Sequence, residues 1–264
     1  IPNTYFIYPN FAVFLRVLAI FVPVKKIIMS NPFFQFKRFT VYHDLCAMKV
    51  GTDGVLLGAW CEVKKSRHIL DIGAGTGLIC LMAAQRSDAG IDGVEIDPLA
   101  CVQARENVLR SPWPDRIRLY NESFQEFSKH TDIKYDLIVS NPPYFEESVL
   151  PDEHTRINAR HTVSLNYDDI FRCSADILAA TGRISLIFPF SMEEQVEKSA
   201  MRQGFFPIRK TYVSGTPRSL PKRILEEWGR YESLYESDSL VIEEKRHSYT
   251  PEYIDLTRDF YLKM

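Results

Sequence analysis

The residues of this chain best suited to chemistry lie in two short stretches, "ILDIGAGTGL" (69–78) and "YDLIVSNPPYF" (135–145). In the second, Asn141 and Pro142 each precede a proline, so both are expected to be extended and no helix can begin there. Pro142 and Pro143 have no N–H. The loop is therefore poor in donors but keeps its backbone carbonyls and the Asn141 side-chain oxygen as acceptors. Such a corner suits a group that carries two hydrogens.

In the first stretch Gly73, Gly75 and Gly77 stand between an apolar run and a helical pattern. Glycines there let the backbone turn sharply and approach a ligand, and the helix N-terminus offers free N–H groups. A dinucleotide fingerprint needs its third glycine one residue later, where this chain has Leu78, which counts against a nicotinamide cofactor. Asp71, just before the loop, would sit badly beside a pyrophosphate and well beside an ammonium, so the expected ligand carries an amine. Glu95, at the end of "GVEID", is placed to accept hydrogen bonds from two ribose hydroxyls, and Asp97 can share that task.

These residues need a scaffold. From residue 67 onward short apolar runs alternate with helical patterns: "HILDIG", a helix from Leu78, "IDGVEID", a helix from Pro98, "RIRLY" and "YDLIVS". That alternation predicts a parallel sheet covered by helices. After the proline loop the pattern predicts a helix over 167–180, the strand "GRISLIFP" and a helix over 192–203. The runs "FFPIRKTYV", "RILEEWGRY" and "DSLVIEE" have no long helical spacers, so an antiparallel pair is expected at the sheet edge. The terminal "YTPEYIDLTRDFYLKM" reads as an amphipathic helix.

With 264 residues, 45% hydrophobic and 25% charged, the chain suits one globular domain with attachments. Its net charge of −2 gives no overall sign of nucleic-acid binding. A local one exists: between Glu197 and Glu226 stand seven cations (Lys198, Arg202, Arg209, Lys210, Arg218, Lys222, Arg223) and no acid. The five cysteines, with neither a C-x-x-C nor a histidine at metal spacing, are expected to be reduced thiols of a cytoplasmic, metal-free protein. The apolar run "FAVFLRVLAIFVPV" is fourteen residues long, holds Arg16 and ends near Pro23, too short for a comfortable membrane span. Residues 1–28 are expected to be a hydrophobic extension without a functional role, and residues 29–264 one domain. Within it, residues 29–66 form a cofactor-covering segment and residues 67–264 the core. No stable membrane association is expected.

The strand-D-x-G-x-G-x-G pattern resembles the first motif of S-adenosylmethionine-dependent methyltransferases. The resemblance implies a Rossmann-like class I α/β fold, with a mostly parallel seven-stranded sheet, an antiparallel edge and helices on both faces. It also implies that Ser123 and Phe124 flank the adenine of the cofactor; many relatives have Asp where this chain has Ser123. Asn-Pro-Pro-Tyr resembles the motif of enzymes that methylate an exocyclic or amide nitrogen. In that reading the Asn141 oxygen and the Pro142 carbonyl accept both amine hydrogens, Tyr144 stacks on the base and Phe145 lines the same pocket.

The long stretch "FTVYHDLCAMKVGTDGVLLGAW" (39–60), with "RHTVSL" and the terminal segment, resembles the bacterial tRNA1(Val) (adenine37-N6)-methyltransferases from about Gln35 to Met264. This implies Lys49 or Thr52 near the cofactor carboxylate, and a monomer that binds the tRNA anticodon stem-loop. Its RNA surface would comprise Arg156, Arg160, Arg209, Lys210, Arg218, Lys222 and Arg223. Two rival enzymes share the proline loop, a glutamine N5-methyltransferase of a translation release factor and a ribosomal RNA guanine-N2 methyltransferase. The first would need a larger domain ahead of the glycine loop. A catalytically silent RNA-binding protein is the remaining alternative, and it would be expected to have lost Asn141 or a loop glycine.

Overall fold

The computed structural model describes residues 31–143 and 165–264. A small antiparallel hairpin, β1 (Phe33–Gln35) and β2 (Thr40–Tyr42), precedes α1 (Thr52–Trp60). Then follow β3 (His68–Ile72), α2 (Leu78–Arg86), β4 (Gly90–Val94), α3 (Pro98–Leu109), β5 (Ile117–Tyr120), α4 (Phe124–His130) and β6 (Tyr135–Ser140). The second described part holds α5 (Tyr167–Ile177), β7 (Leu178–Pro189), α6 (Glu193–Arg202), β8 (Phe206–Ser214), β9 (Arg223–Gly229) and β10 (Glu236–Val241). A short pair, β11 (Glu243–Lys245) and β12 (Ser248–Tyr249), leads to α7 (Pro251–Thr257).

The main sheet has the order β5-β4-β3-β6-β7-β9-β8-β10. Its strands β5 to β7 are mutually parallel, as the strand–helix alternation predicts. β9 runs antiparallel to both β7 and β8, and β10 joins β8 in parallel. The sheet therefore has eight strands rather than seven, and its antiparallel member lies inside the edge. β10 overlaps the run "DSLVIEE", its first four residues, Glu236 to Ser239, being exposed, whereas the count of seven came from the family resemblance.

Alternation within the strands divides the core between the two faces, as a period of two requires. Ile69, Ile91, Leu137, Val139 and Leu225 face a layer containing α1, α2 and α7, whereas Leu70, Ile72, Val94, Ile138 and Ile224 face α4, α5 and α6. α1 is buried along almost its whole length, from Gly54 to Trp60. A Cβ at Gly58 would lie 2.6 Å from the Met82 sulfur, so only glycine admits this approach of α1 to α2. Gly51 rather than Thr52 is the N-cap of α1, and Thr52 is its first residue. The terminal helix is also shorter than its pattern predicts. It stops at Thr257, and the chain then turns so that Tyr261 bridges Phe36 and stacks on its ring. All five cysteines are free, with Cys46 half-buried and the other four buried. Among the described residues, no helix is long and apolar enough to cross a membrane.

Candidate active site

A single row of the sheet organises the site. Tyr120, Val94, Ile72, Ser140 and Leu186 stand side by side on β5, β4, β3, β6 and β7. One residue further out, at the carboxyl ends of the parallel strands, come Asn121, Glu95, Gly73 and Asn141 in that order. With neighbouring strands about 4.8 Å apart, Glu95, the glycine loop and Asn141 leave the sheet next to one another. Ligands of open α/β sheets collect at this edge.

The glycine loop is built for close approach. Gly73, Gly75 and Gly77 have φ of 72°, 53° and 78°, the left-handed region that other residues avoid. The N–H groups of Gly73 and Ala74 both donate to the Val94 carbonyl (2.8 and 3.1 Å), which folds the loop back over β4. Glu95, 8% exposed, is the counterpart. One of its oxygens accepts from the Gly75 N–H and the other from the Asp97 N–H, each at 2.8 Å.

Asp71 lies buried beneath the loop. Its Oδ2 accepts a hydrogen bond from the Cys80 thiol at 3.3 Å, and among the described residues its Oδ1 has no donor. Burial pushes this carboxyl up to about 7 against the Cys80 hydrogen bond, and the nearby Glu95 charge adds to the rise.

These features fit S-adenosylmethionine. The donorless Asp71 oxygen suits its ammonium, Glu95 sits where ribose hydroxyls would meet it, and a Cβ placed at Gly73 would meet nothing within 4 Å, leaving room beside the backbone. Asp97 also has a structural part. Its carboxylate caps α3, accepting from the N–H groups of Leu99 and Ala100, while Pro98 occupies the first turn. Ser123 likewise caps α4 through Glu126, and the Phe124 side chain is buried in the core.

The segment ahead of α1 reaches this edge along α3. Asn107, fully buried, accepts from the Tyr42 N–H (2.9 Å) and donates to the carbonyls of Tyr42 (2.8 Å) and of Thr76 in the glycine loop (2.9 Å). One turn towards the helix start, Gln103 accepts from the Leu45 N–H. Cys46 comes next, and burial together with the charges of Glu95, Asp97 and Asp44 pushes its thiol up to about 11. At the far end Asp53 of α1 pairs with Arg223 at 2.8 Å, where β9 begins. Exposed Lys49 and Thr52 lie on the connection between these two anchors, which bends at Ala47 and Met48 and turns back so that the Val50 N–H donates to His43 Nδ1 at 3.5 Å.

Asn107, Gln103, Asn121 and Ser140 were not identified from the sequence. Gln103 and Asn107 carried a signal, two amides four residues apart on the buried side of one helix. Asn121 donates to the carbonyls of Glu95 and Ile96 (2.8 and 3.1 Å), and the Ser140 hydroxyl donates to the Ile72 carbonyl at 2.7 Å. Asn141 itself is half-buried, Pro142 buried and Pro143 exposed. Tyr144, Phe145, Arg156 and Arg160 lie outside the described residues.

The basic stretch divides sharply, and part of the expected RNA surface is corrected. Lys210 is buried and paired with Glu193 (2.8 Å), Glu197 and Glu226 (3.3 Å). Burial opposes its charge, but the three carboxylates hold its ammonium well above the usual range. Arg209 stacks 3.7 Å over the Trp60 ring and donates to the Trp60 carbonyl. Arg223 anchors α1, Lys198 pairs with Glu194, and Arg202 with Asp168. Lys210 cannot reach a surface, whereas Arg209 and Arg223, each also bonded within the protein, keep side chains 29% and 31% exposed. Arg218 and Lys222 are exposed on the β8–β9 loop and lie outside the ion pairs of the described residues. Since Arg223 of β9 pairs with Pro189 of β7, that loop projects from the same sheet edge as Asn141.

Comparison with known proteins agrees with this geometry. Residues 46–188 match the model of the methyltransferase small domain family. A Parabacteroides distasonis protein named tRNA1(Val) (adenine(37)-N6)-methyltransferase is 48% identical over 237 residues, covering 89% of this chain and all of the relative. A Phocaeicola vulgatus protein of the same name is 48% identical over 236 residues, again 89% of this chain and all of the relative. Among solved structures, an Agrobacterium tumefaciens protein described as a predicted O-methyltransferase superposes with a TM-score of 0.61 at 19% identity, covering 79% of this chain and 96% of that one. That likeness is of fold alone, and the fold is the class I methyltransferase fold. On the identity and coverage of its relatives, the chain belongs to the tRNA1(Val) (adenine(37)-N6)-methyltransferase family.

Proposed function

We propose that the protein is an S-adenosylmethionine-dependent tRNA methyltransferase that modifies N6 of adenine 37 in the anticodon loop of tRNA1(Val). The observation that carries the reading is the shared row of Ile72 and Ser140, which sets Asn141 beside the glycine loop. When bound, S-adenosylmethionine supplies a methyl group on a positively charged sulfur. The chain's own residues do the rest. Asp71 would receive the amino-acid ammonium, Glu95 the ribose, and Ser123 with the Phe124 backbone the adenine edge. Lys49 and Thr52, on the connection that leads into α1, would approach the carboxylate.

Facing them, the Asn141 oxygen and the Pro142 carbonyl accept the two hydrogens of the substrate amine. An aryl amine is a weak nucleophile because its lone pair is delocalised into the ring. Fixing both hydrogens favours a pyramidal nitrogen with its lone pair aimed at the methyl carbon, stabilising the transition state more than the ground state. Nitrogen then bonds the methyl carbon as the carbon–sulfur bond breaks, and the surplus proton leaves to water, so no strong base is needed. By the family resemblance, Tyr144 would stack on the base and Phe145 would line the same pocket. An anticodon loop exposes unpaired bases, so turning one into the pocket costs little. A cytoplasmic location and action as a monomer belong to the same reading.

The test is transfer of tritiated methyl from S-adenosylmethionine to total tRNA from a strain lacking the enzyme, followed by nucleoside analysis. Label in N6-methyladenosine is expected. Label in methylguanosine, or only in protein, would overturn the reading.

A further inference from the structure

Phe190 stands at the active-site edge without a role in the site described above. It follows the last residue of β7, is 40% exposed, and its N–H donates to the Lys222 carbonyl at 3.1 Å. Its ring is braced on one edge by Tyr212, centroids 6.0 Å apart, whose hydroxyl in turn donates to Glu193 at 2.6 Å. The register Ser140 against Leu186 puts Phe190 three residues beyond the level of Asn141, roughly 10 Å along the strand direction and one strand across. Lys222 belongs to the β8–β9 loop, which also carries the exposed Arg218 and the 82% exposed Leu220.

An aromatic ring braced on one edge, 40% exposed and tied by its backbone to the exposed Lys222, on a loop that also carries Arg218, has the make-up of a single-strand RNA contact. Bases stack on the ring while cations track the phosphates. Taking the proposed function as its premise, we propose that Phe190 is the stacking platform for a base neighbouring the adenine held at Asn141, with Arg218 and Lys222 on the adjoining phosphates. A second copy of this chain is the other conceivable occupant, but the like charges of Arg218 and Lys222 on that loop disfavour a self-complementary contact.

The experiment compares Phe190→Ala, Phe190→Leu and Phe190→Trp with the wild type in methylation of the isolated anticodon stem-loop. S-adenosylmethionine affinity, melting temperature and sedimentation are measured in parallel. Stacking predicts that KM for the stem-loop rises about five- to fiftyfold for Ala and Leu and stays near wild type for Trp, with cofactor affinity and melting temperature unchanged. Equal KM for wild type and Ala, or a Leu variant as good as Trp, would overturn the stacking role. So would a fall in cofactor affinity or melting temperature that parallels the rise in KM, or a wild-type dimer that Phe190→Ala dissociates. A wild type that transfers no methyl to the stem-loop or to tRNA would instead refute the function on which the inference rests.

Discussion

The Ser140 hydroxyl donates to the Ile72 carbonyl at 2.7 Å, joining the last residue of β6 to the last residue of β3. Because both strands end at the same level, the proline loop and the glycine loop begin side by side, which is what a donor and an acceptor of a methyl group require.

In the proposed function Asn141 carries the chemistry without carrying the cofactor. Asn141→Ala is expected to slow methyl transfer in a single turnover by about 10²–10³-fold, the scale of losing one oriented hydrogen-bond partner of a transition state. Cofactor affinity should stay near wild type. Full single-turnover activity in the variant would remove Asn141 from its assigned role.

Glu95 holds two backbone N–H groups and the loop geometry at once. Glu95→Gln replaces one acceptor by an amide donor pointed at an N–H, so one bond is lost and a clash of donors gained. The expected result is about a tenfold or greater loss of S-adenosylmethionine affinity, read by calorimetry, since charge-assisted bonds contribute roughly 1.5–3 kcal/mol. An unaltered binding isotherm would show that Glu95 serves the loop alone.

Asp71 gives a pH signature. Burial raises its folded-state pKa to about 7 from an ordinary value of 3.8, so between those values the folded protein keeps a proton that the unfolded chain has lost. The unfolded state binds fewer protons there, and the contribution of Asp71 to stability falls as pH rises through the window. Asp71→Asn should therefore gain melting temperature relative to wild type on going from about pH 5 to about pH 8. Wild-type affinity for the cofactor should strengthen as pH rises through 7, because an ammonium favours the ionised carboxylate. Melting curves that shift in parallel across this range would contradict the burial of an ionisable group.

Arg218 and Lys222 are exposed together on the β8–β9 loop, and the proposed function gives them to RNA. Replacing both with Ala is expected to weaken tRNA binding and to lower the slope of log K against log salt by about 1.4–1.8, two phosphate contacts' worth. A slope identical to wild type would take the β8–β9 loop out of the interface.

Lys210 should behave in the opposite way. Burial pushes the Glu226 carboxyl up to about 8 against the Lys210 charge, so Lys210→Met leaves a neutral carboxyl without a partner, a loss of about 1–3 kcal/mol. The melting temperature should drop, Glu226→Gln in the same chain should restore part of it, and the salt dependence of tRNA binding should not move. A changed salt slope at unchanged stability would return Lys210 to the RNA surface.

The local devices of this protein were legible from its residues. A glycine turn between strand and helix, an acid at the next strand end and an Asn-Pro-Pro corner are each encoded within a few contiguous positions, where φ preferences and missing N–H groups act directly. Strand–helix alternation then placed them at a common edge. What the chain order could not reveal is which distant groups meet. The register of β8 on β9 puts Lys210 opposite Glu226 and Arg209 opposite Glu227, turning cations expected at a surface into internal partners. The same limit hid Asn107, whose amide joins Tyr42 to Thr76 across separations of 65 and 31 residues. Backbone preference is written locally, whereas the partner of a charge or an amide is fixed only once tertiary packing brings the two together in low dielectric.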